Sequence, residues 1–352
     1  MPENCTVTET EKQQAVAKAY EEEYLKGSVS EIPIKPHKKS TKNTLAFARL
    51  VTAFSVVGLV AFGLGFLKTN SDKKKLDAQL EAVQSEYDSA VSEYENTIAT
   101  MERTYVYDNG VSKTDVEIYE NIPKNPYDNG RFLTDSEGKK YYTDDSGAYV
   151  SSFGIDLSYY QGDVYWENVA NDGVEFAIIR AGYRGYSTGE LMQDERFTEY
   201  IQGAQNAGID VGIYFFSQAI NEQEALEEAE FVLSMIEGYD VDYPVVFYWE
   251  YISTDEAKTD DLQRDVLTKA AVTFCERIKE AGYTPMIYGN AATLIFRYDL
   301  ADIAEYDFWL AQYYDTPSFY YDFKMWQYSS SGIVDGISNY VDMNVCFKKY
   351  SD

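Results

Sequence analysis

Five short apolar runs recur along the second half of the chain: FGIDLS (153–158), FAIIRAGY (176–183), DVGIYFFS (210–217), PVVFYWEY (244–251) and TPMIYGN (284–290). The stretches between them, among them ERFTEYIQGAQNAG, NEQEALEEAEFVLSMI and DDLQRDVLTKAAVTFCERIKEAG, have helical periodicity and close near glycine, where helices stop. Strands that alternate with helices predict parallel βα units, because only a crossover brings the next strand in parallel to the last. Three more strand-like runs, YDFWLAQYY (306–314), FKMWQYS (323–329) and VDMNVCF (341–347), follow at intervals too short for full helices. The expected fold is therefore α/β: an irregular TIM-like barrel of five βα units plus three closing strands over residues 151–352, a span short of eight full units.

In such barrels the chemistry sits at the C-terminal ends of the strands. The polar groups falling there are Asp156, Arg180, Tyr183, Tyr214, Glu250, Tyr288, Gln312 and Gln327, with the ring of Trp326 beside Gln327 and Asp342 at the start of the last run. A single carboxylate at a strand end is commonplace, whereas several acids and rings in one mouth point to a site. The only histidine is His37, far from the barrel, which excludes a histidine-based triad and leaves carboxylates, Tyr and Lys for acid–base work. No thiolate metal spacing occurs, and no cofactor is expected. Cys275 and Cys346 are read as either a pair or two buried thiols. Paired acids with no competing motif suggest glycoside hydrolysis, in which one carboxyl protonates the leaving oxygen and a second group meets an oxocarbenium-like centre. Aromatics make up 16% of the chain, with 33 Tyr, which suits sugar faces. The net charge of −29 argues against a nucleic-acid partner.

The first half is organised differently. Residues 1–43 are polar and mixed in charge, as expected of a disordered cytoplasmic tail. Residues 50–67 (LVTAFSVVGLVAFGLGFL) carry no charge, and with Thr44–Phe47 the run is long enough to cross a bilayer core of about 30 Å. A buried core helix is the bland alternative. A span at 44–67 would make this a single-pass membrane protein; lysines flank it on both sides, so charge gives little orientation. Leu76, Leu80, Val83, Tyr87, Ala90, Tyr94, Thr97 and Met101 then recur at heptad spacing, so a helical stalk is expected over 68–103, either paired with a copy of itself or solvated alone. Residues 104–150 shift to Asp, Asn, Gly and Tyr and read as a linker with a small hairpin around Glu137-Gly138.

Taken together, GIDLSYYQGDVYW (154–166), FAIIRAGY, GIYFFS, PVVFYWE, MIYGN, WLAQYY and MWQYSSSGIVDGI followed by VDMN resemble the glycoside hydrolase family 25 lysozymes, in order over about residues 151–347. The resemblance implies a barrel of five βα units and three closing strands. It also implies cleavage of the β-1,4 bond between N-acetylmuramic acid and N-acetylglucosamine in peptidoglycan glycan strands. The family's first-strand acid falls on Asp156, its proton donor on Glu250 and its late-strand acid on Asp342. The family's Asp-x-Glu motif on the fourth strand is here Tyr248-Trp249-Glu250, so one central carboxylate is replaced by a phenol. Three readings of Tyr248 follow: a disabling replacement that leaves a glycan-binding protein, a working variant whose hydroxyl serves the acetamido group, or an introduced change of the kind that traps substrate. A substrate outside the membrane implies type II topology, with the barrel outside.

Overall fold

The computed structural model describes residues 70–102, 104–108, 112–251, 258–259 and 262–351. The expected tail at 1–43 and span at 44–67 lie outside these residues; no helix among the described residues is long and apolar enough to cross a membrane. The described residues divide into two compact units, one over residues 70–120 and one from residue 121 onward. In the first, helix α1 (Asn70–Glu102) is followed by strands β1 (Thr104–Asp108) and β2 (Lys113–Glu117), which pair antiparallel.

The second unit opens with a hairpin of β3 (Phe132–Thr134) and β4 (Lys140–Tyr142). Its turn is set locally: the Asp135 carboxylate accepts the N–H groups of Glu137 and Lys139, each at 2.9 Å, and Gly138 takes a φ of +85°, a left-handed conformation that favours glycine. Composition marks 104–150 as a linker, but 121–150 is part of the barrel unit. Phe132 packs edge-on against Trp326 at 5.4 Å, and Tyr127 and Tyr142 lie 4.1 and 5.7 Å from Phe347. Contacts so distant in sequence leave no periodic trace, which is why composition misplaces the boundary.

The barrel proper runs β5 (Ser152–Leu157), α2 (Trp166–Asn171), β6 (Phe176–Arg184), a short β7 (Leu191–Gln193), α3 (Phe197–Asn206), β8 (Asp210–Phe216), α4 (Glu222–Ile236), β9 (Val245–Tyr248), α5 (Arg264–Glu280), β10 (Pro285–Asn290), α6 (Ala291–Phe296), α7 (Leu300–Ile303), β11 (Asp307–Ala311), β12 (Met325–Gly332) and β13 (Val341–Cys346). Strands β5, β6, β8, β9, β10, β11 and β12 pair in parallel in that order. Strand β13 closes the ring antiparallel to both β12 and β5, giving eight strands, while β7 only extends β6. Helices follow the first five barrel strands, and the last three close without them, as the spacing predicts.

Helix α5 shows why these segments form. Leu267, Ala270, Ala271, Phe274 and Ile278 recur at helical spacing and are buried, and the chain turns at Gly282, φ +93°. Inside the barrel, alternate residues of most strands form one cluster, including Phe176, Ile178, Tyr214, Val246, Tyr248, Met286, Tyr288, Trp309 and Met325. Phe176 stacks on Tyr243 at 4.5 Å, and its ring fills the space where Gly154 lacks a side chain: a Cβ there would lie 2.4 Å from the ring. Both partners are buried, so the ring cannot swing into solvent. Gly154→Ala should therefore cost about 1–3 kcal/mol by overpacking, read as a lower midpoint of urea unfolding at unchanged slope.

Candidate active site

The antiparallel β13 places Asp342 directly opposite Asp156 in the strand register. Asp156 is 2% exposed, and its Oδ2 accepts the side-chain amides of Gln327 and Asn344, each at 2.8 Å. Asn344 is itself aimed by the Trp309 indole, which donates to Asn344 Oδ1 at 2.8 Å. Burial pushes the Asp156 carboxyl up to about 6 against the opposing effect of its Asn344, Gln327 and Asp342 hydrogen bonds. Asp342 lies well above the usual carboxylate range, first through desolvation, then through the charge and hydrogen bond of Asp156 and the charge of Glu250. Two like charges so placed cannot both ionise cheaply, so the pair holds a proton to higher pH than an isolated carboxyl would.

Glu250 follows β9 and joins this pair through other side chains. The Tyr288 hydroxyl lies 3.0 Å from Glu250 Oε1 and 3.2 Å from Gln327 Oε1. A phenol has one proton, so it serves one of these acceptors at a time, and the shorter contact favours Glu250. The Tyr313 hydroxyl donates to Gln327 Oε1 at 2.8 Å and keeps that amide oriented. The chain of contacts therefore runs from Glu250 through Tyr288 and Gln327 to Asp156.

Tyr248 points into the same interior. Its ring stacks on Tyr288 at 3.8 Å and 9°, with Tyr214 at 5.0 Å, Phe216 at 5.4 Å and Trp309 edge-on at 6.0 Å. Burial holds the Tyr214 phenol well above its ordinary range, with Arg180 opposing. Arg180 is pinned by Asp194, Nε to Oδ2 at 2.7 Å, and its guanidinium lies 5.1–5.5 Å from the rings of Tyr159, Tyr160 and Tyr183.

Nine of the eleven candidate residues are thus brought to the mouth: Asp156, Arg180, Tyr183, Tyr214, Tyr248, Glu250, Tyr288, Gln327 and Asp342. Trp326 and Gln312 are not. Trp326 is fully buried against Phe132 on the outer side of β12, because period-2 alternation points it away from Gln327, and its indole donates to the Gln312 carbonyl at 2.7 Å. Both ends of the Gln312 amide are taken by Ser318, at 3.0 and 2.7 Å. These two residues brace the loop after β11 from behind. Tyr313, Asn344, Trp309 and Asp194 belong to the site or its support and escape the reading of strand ends. Alternation was the available signal for the first three: Trp309, Ala311 and Tyr313 share one face, as do Asp342 and Asn344.

Residues 155–337 match the family model for glycosyl hydrolases family 25. The chain is similar to Lysozyme M1 from Streptomyces globisporus, at 30% identity over 207 residues, 54% of this chain and 66% of that protein. It is also similar to the autolytic lysozyme of Clostridium acetobutylicum, at 26% over 193 residues, 54% of each chain. The match thus spans about half to two thirds of the length of these relatives. In fold it is similar to the modular autolysin LytC from Streptococcus pneumoniae, with a TM-score of 0.50 at 23% identity, covering 70% of this chain and 57% of that one; LytC has also been solved in complex with a synthetic peptidoglycan ligand.

The raised Asp156 carboxyl has a consequence for stability. Its folded-state value of about 6 exceeds the ordinary 3.8, so the folded protein binds the proton more tightly and loses stability as pH rises between those values. Asp156→Asn removes that loss. Relative to wild type it should gain on the order of 2 kcal/mol on going from pH 4 to pH 7. Urea titrations across that range read the effect, and a difference that does not vary with pH would contradict the shared-proton description.

Proposed function

The chain belongs to glycosyl hydrolases family 25, and from that premise we propose that it cleaves the β-1,4 bond between N-acetylmuramic acid and N-acetylglucosamine in peptidoglycan. The observation that carries this reading is the linked set of carboxyls at the barrel mouth, Glu250 joined through Tyr288 and Gln327 to the Asp156–Asp342 pair. Glu250 acts as the acid that protonates the glycosidic oxygen, and then as the base toward water. Asp156 and Asp342 supply negative charge beneath the oxocarbenium-like centre while storing one proton between them. Tyr183 and the exposed rings of Tyr159 and Tyr160 offer faces for sugars.

Tyr248 takes the place of the motif aspartate. Its phenol offers a hydroxyl to the acetamido oxygen, but supplies no charge. A second reading rests on that ring: it fills volume in the cleft and leaves a weakly active protein that binds glycan strands. Residues 44–67 anchor the chain as a single-pass type II membrane protein with the barrel outside, and α1 pairs with a second copy. Tethering suits an acidic barrel, since residues 151–352 hold 12 Lys and Arg against 35 Asp and Glu and would be repelled by an anionic wall if free.

Three outcomes are expected. Purified peptidoglycan should release reducing ends with the wild-type chain and not with Glu250→Gln; glycan binding without release in the wild type would favour the binding protein. Tyr248→Asp should raise the rate by about 10²–10³-fold, the usual contribution of one charge-stabilising group, and a level or falling rate would mark Tyr248 as a working part. Protease added to protoplasts should digest the barrel and spare residues 1–43; a protected barrel would reverse the orientation.

A further inference from the structure

An open groove of about 590 Å³ lies between the β3–β4 hairpin and the barrel rim, with Gly138 and Lys140 on one wall and Tyr313, Tyr314, Asp315 and Tyr328 on the other. The hairpin wall precedes residue 155, where the match to the family model begins. The groove is joined to the catalytic cluster by Tyr313, which lines it and also donates to Gln327 at the mouth.

Among the described residues, Lys140 is the only cation in the groove lining. Its ammonium donates to the Asp315 carbonyl at 2.9 Å and to Thr134 Oγ1 at 3.3 Å, and lies 5.8 Å from the centres of both the Trp326 and Tyr328 rings. Both acceptors are neutral, and an ammonium has a third N–H. The residue is 9% exposed, and burial lowers its pKa against the field of Asp315. An ammonium that faces the groove and donates only to neutral oxygens has an N–H left for a ligand carboxylate, and such a charge-assisted pair is strong. The sugar rings of a glycan strand offer hydroxyl and acetamido groups, whereas the peptide stems that branch from muramic acid carry carboxylates.

We propose that this groove holds the acidic peptide stem of the glycan strand, with Lys140 pairing a stem carboxylate. Asp315, exposed on the opposite wall, suits the amino group of a diamino residue in the stem. The proposal rests on peptidoglycan being the substrate, and it makes the hairpin a specificity element: strands that keep their stems are held more tightly than bare glycan.

The test uses the full chain and two substrates, glycan strands with intact stems and the same strands stripped of stems by an amidase, with the lactyl carboxylates that hydrolysis leaves on the muramic acid rings capped as methylamides. Wild type should show a KM about tenfold lower for the stem-bearing strand, as one charge-assisted pair provides. Lys140→Met should bring the two KM values within twofold, and Lys140→Arg should keep part of the preference. Equal KM values in wild type, or equal losses on both substrates in Lys140→Met, would overturn it. Tyr314→Ala, on the exposed rim, gives a second variant should Lys140→Met fail to fold, and should reduce the preference in the same direction. Calorimetric titration with a free acidic stem peptide separates the two readings. Binding that Lys140→Met abolishes, with neither strand cleaved, would keep the groove and sink the hydrolase; absence of peptide binding would overturn the groove.

Discussion

The site depends on one constraint, the antiparallel entry of β13 between β5 and β12. A parallel strand brings its C-terminal end to the barrel mouth; an antiparallel one brings its beginning. Asp342, the second residue of β13, therefore arrives beside Asp156, near the end of β5, as a direct cross-strand partner. Once two carboxyls are neighbours in a barrel interior, one must keep its proton, and the remaining charge needs donors that do not compete for it. Gln327 from β12 and Asn344 from β13 are those donors, and Trp309 and Tyr313 from β11 and the loop that follows it fix their orientation. Four consecutive strands of the barrel thus contribute to holding one carboxylate.

Much of this was legible in the sequence because strand and helix periods are local. The five βα units and three bare strands follow from the length and alternation of the apolar runs. Reading the mouth was less secure at single-residue precision, since a shift of one position reverses the face. Gln327, Tyr288 and Asp156 fall on the inner face, but Gln312 and Trp326 are each one residue from an inward side chain, Ala311 or Tyr313 in one case and Gln327 in the other. The hairpin of residues 132–142 was visible as a turn, yet its place against Trp326 and Phe347 depends on packing across some two hundred positions of sequence. The tail and the apolar run before Asn70 lie outside the described residues.

The abundance of tyrosine reads at first as a supply of sugar-binding faces, and the exposed Tyr159 and Tyr160 beside Arg180 fit that reading. Many others serve the interior. Tyr200, Tyr298 and Tyr321 are fully buried; the Tyr200 hydroxyl donates to the Gly162 carbonyl, and burial drives the Tyr298 phenol far above its ordinary range. A ring with a polar tip lets one residue fill core volume while satisfying a distant backbone oxygen. Composition alone therefore overstates the share of tyrosine devoted to ligand.

Tyr248 brings these two uses together at the centre of the site. Asp342 already feels the charges of both Asp156 and Glu250, so a further carboxylate two residues before Glu250 would add like charge to a mouth that holds one proton back. A phenol adds none. It contributes instead a nearly parallel stack on Tyr288, and such a stack is worth about 0.5–1.5 kcal/mol beyond the area it buries. Tyr288 is the residue whose hydroxyl reaches both Glu250 and Gln327, so holding its ring fixes the link between the acid and the buried pair. What the ring provides is therefore position and no charge. On the proposed reading, the exchange makes the floor of the cleft more stable and better ordered while weakening its hold on a developing positive centre, which is the direction in which stability and activity commonly oppose each other at catalytic sites.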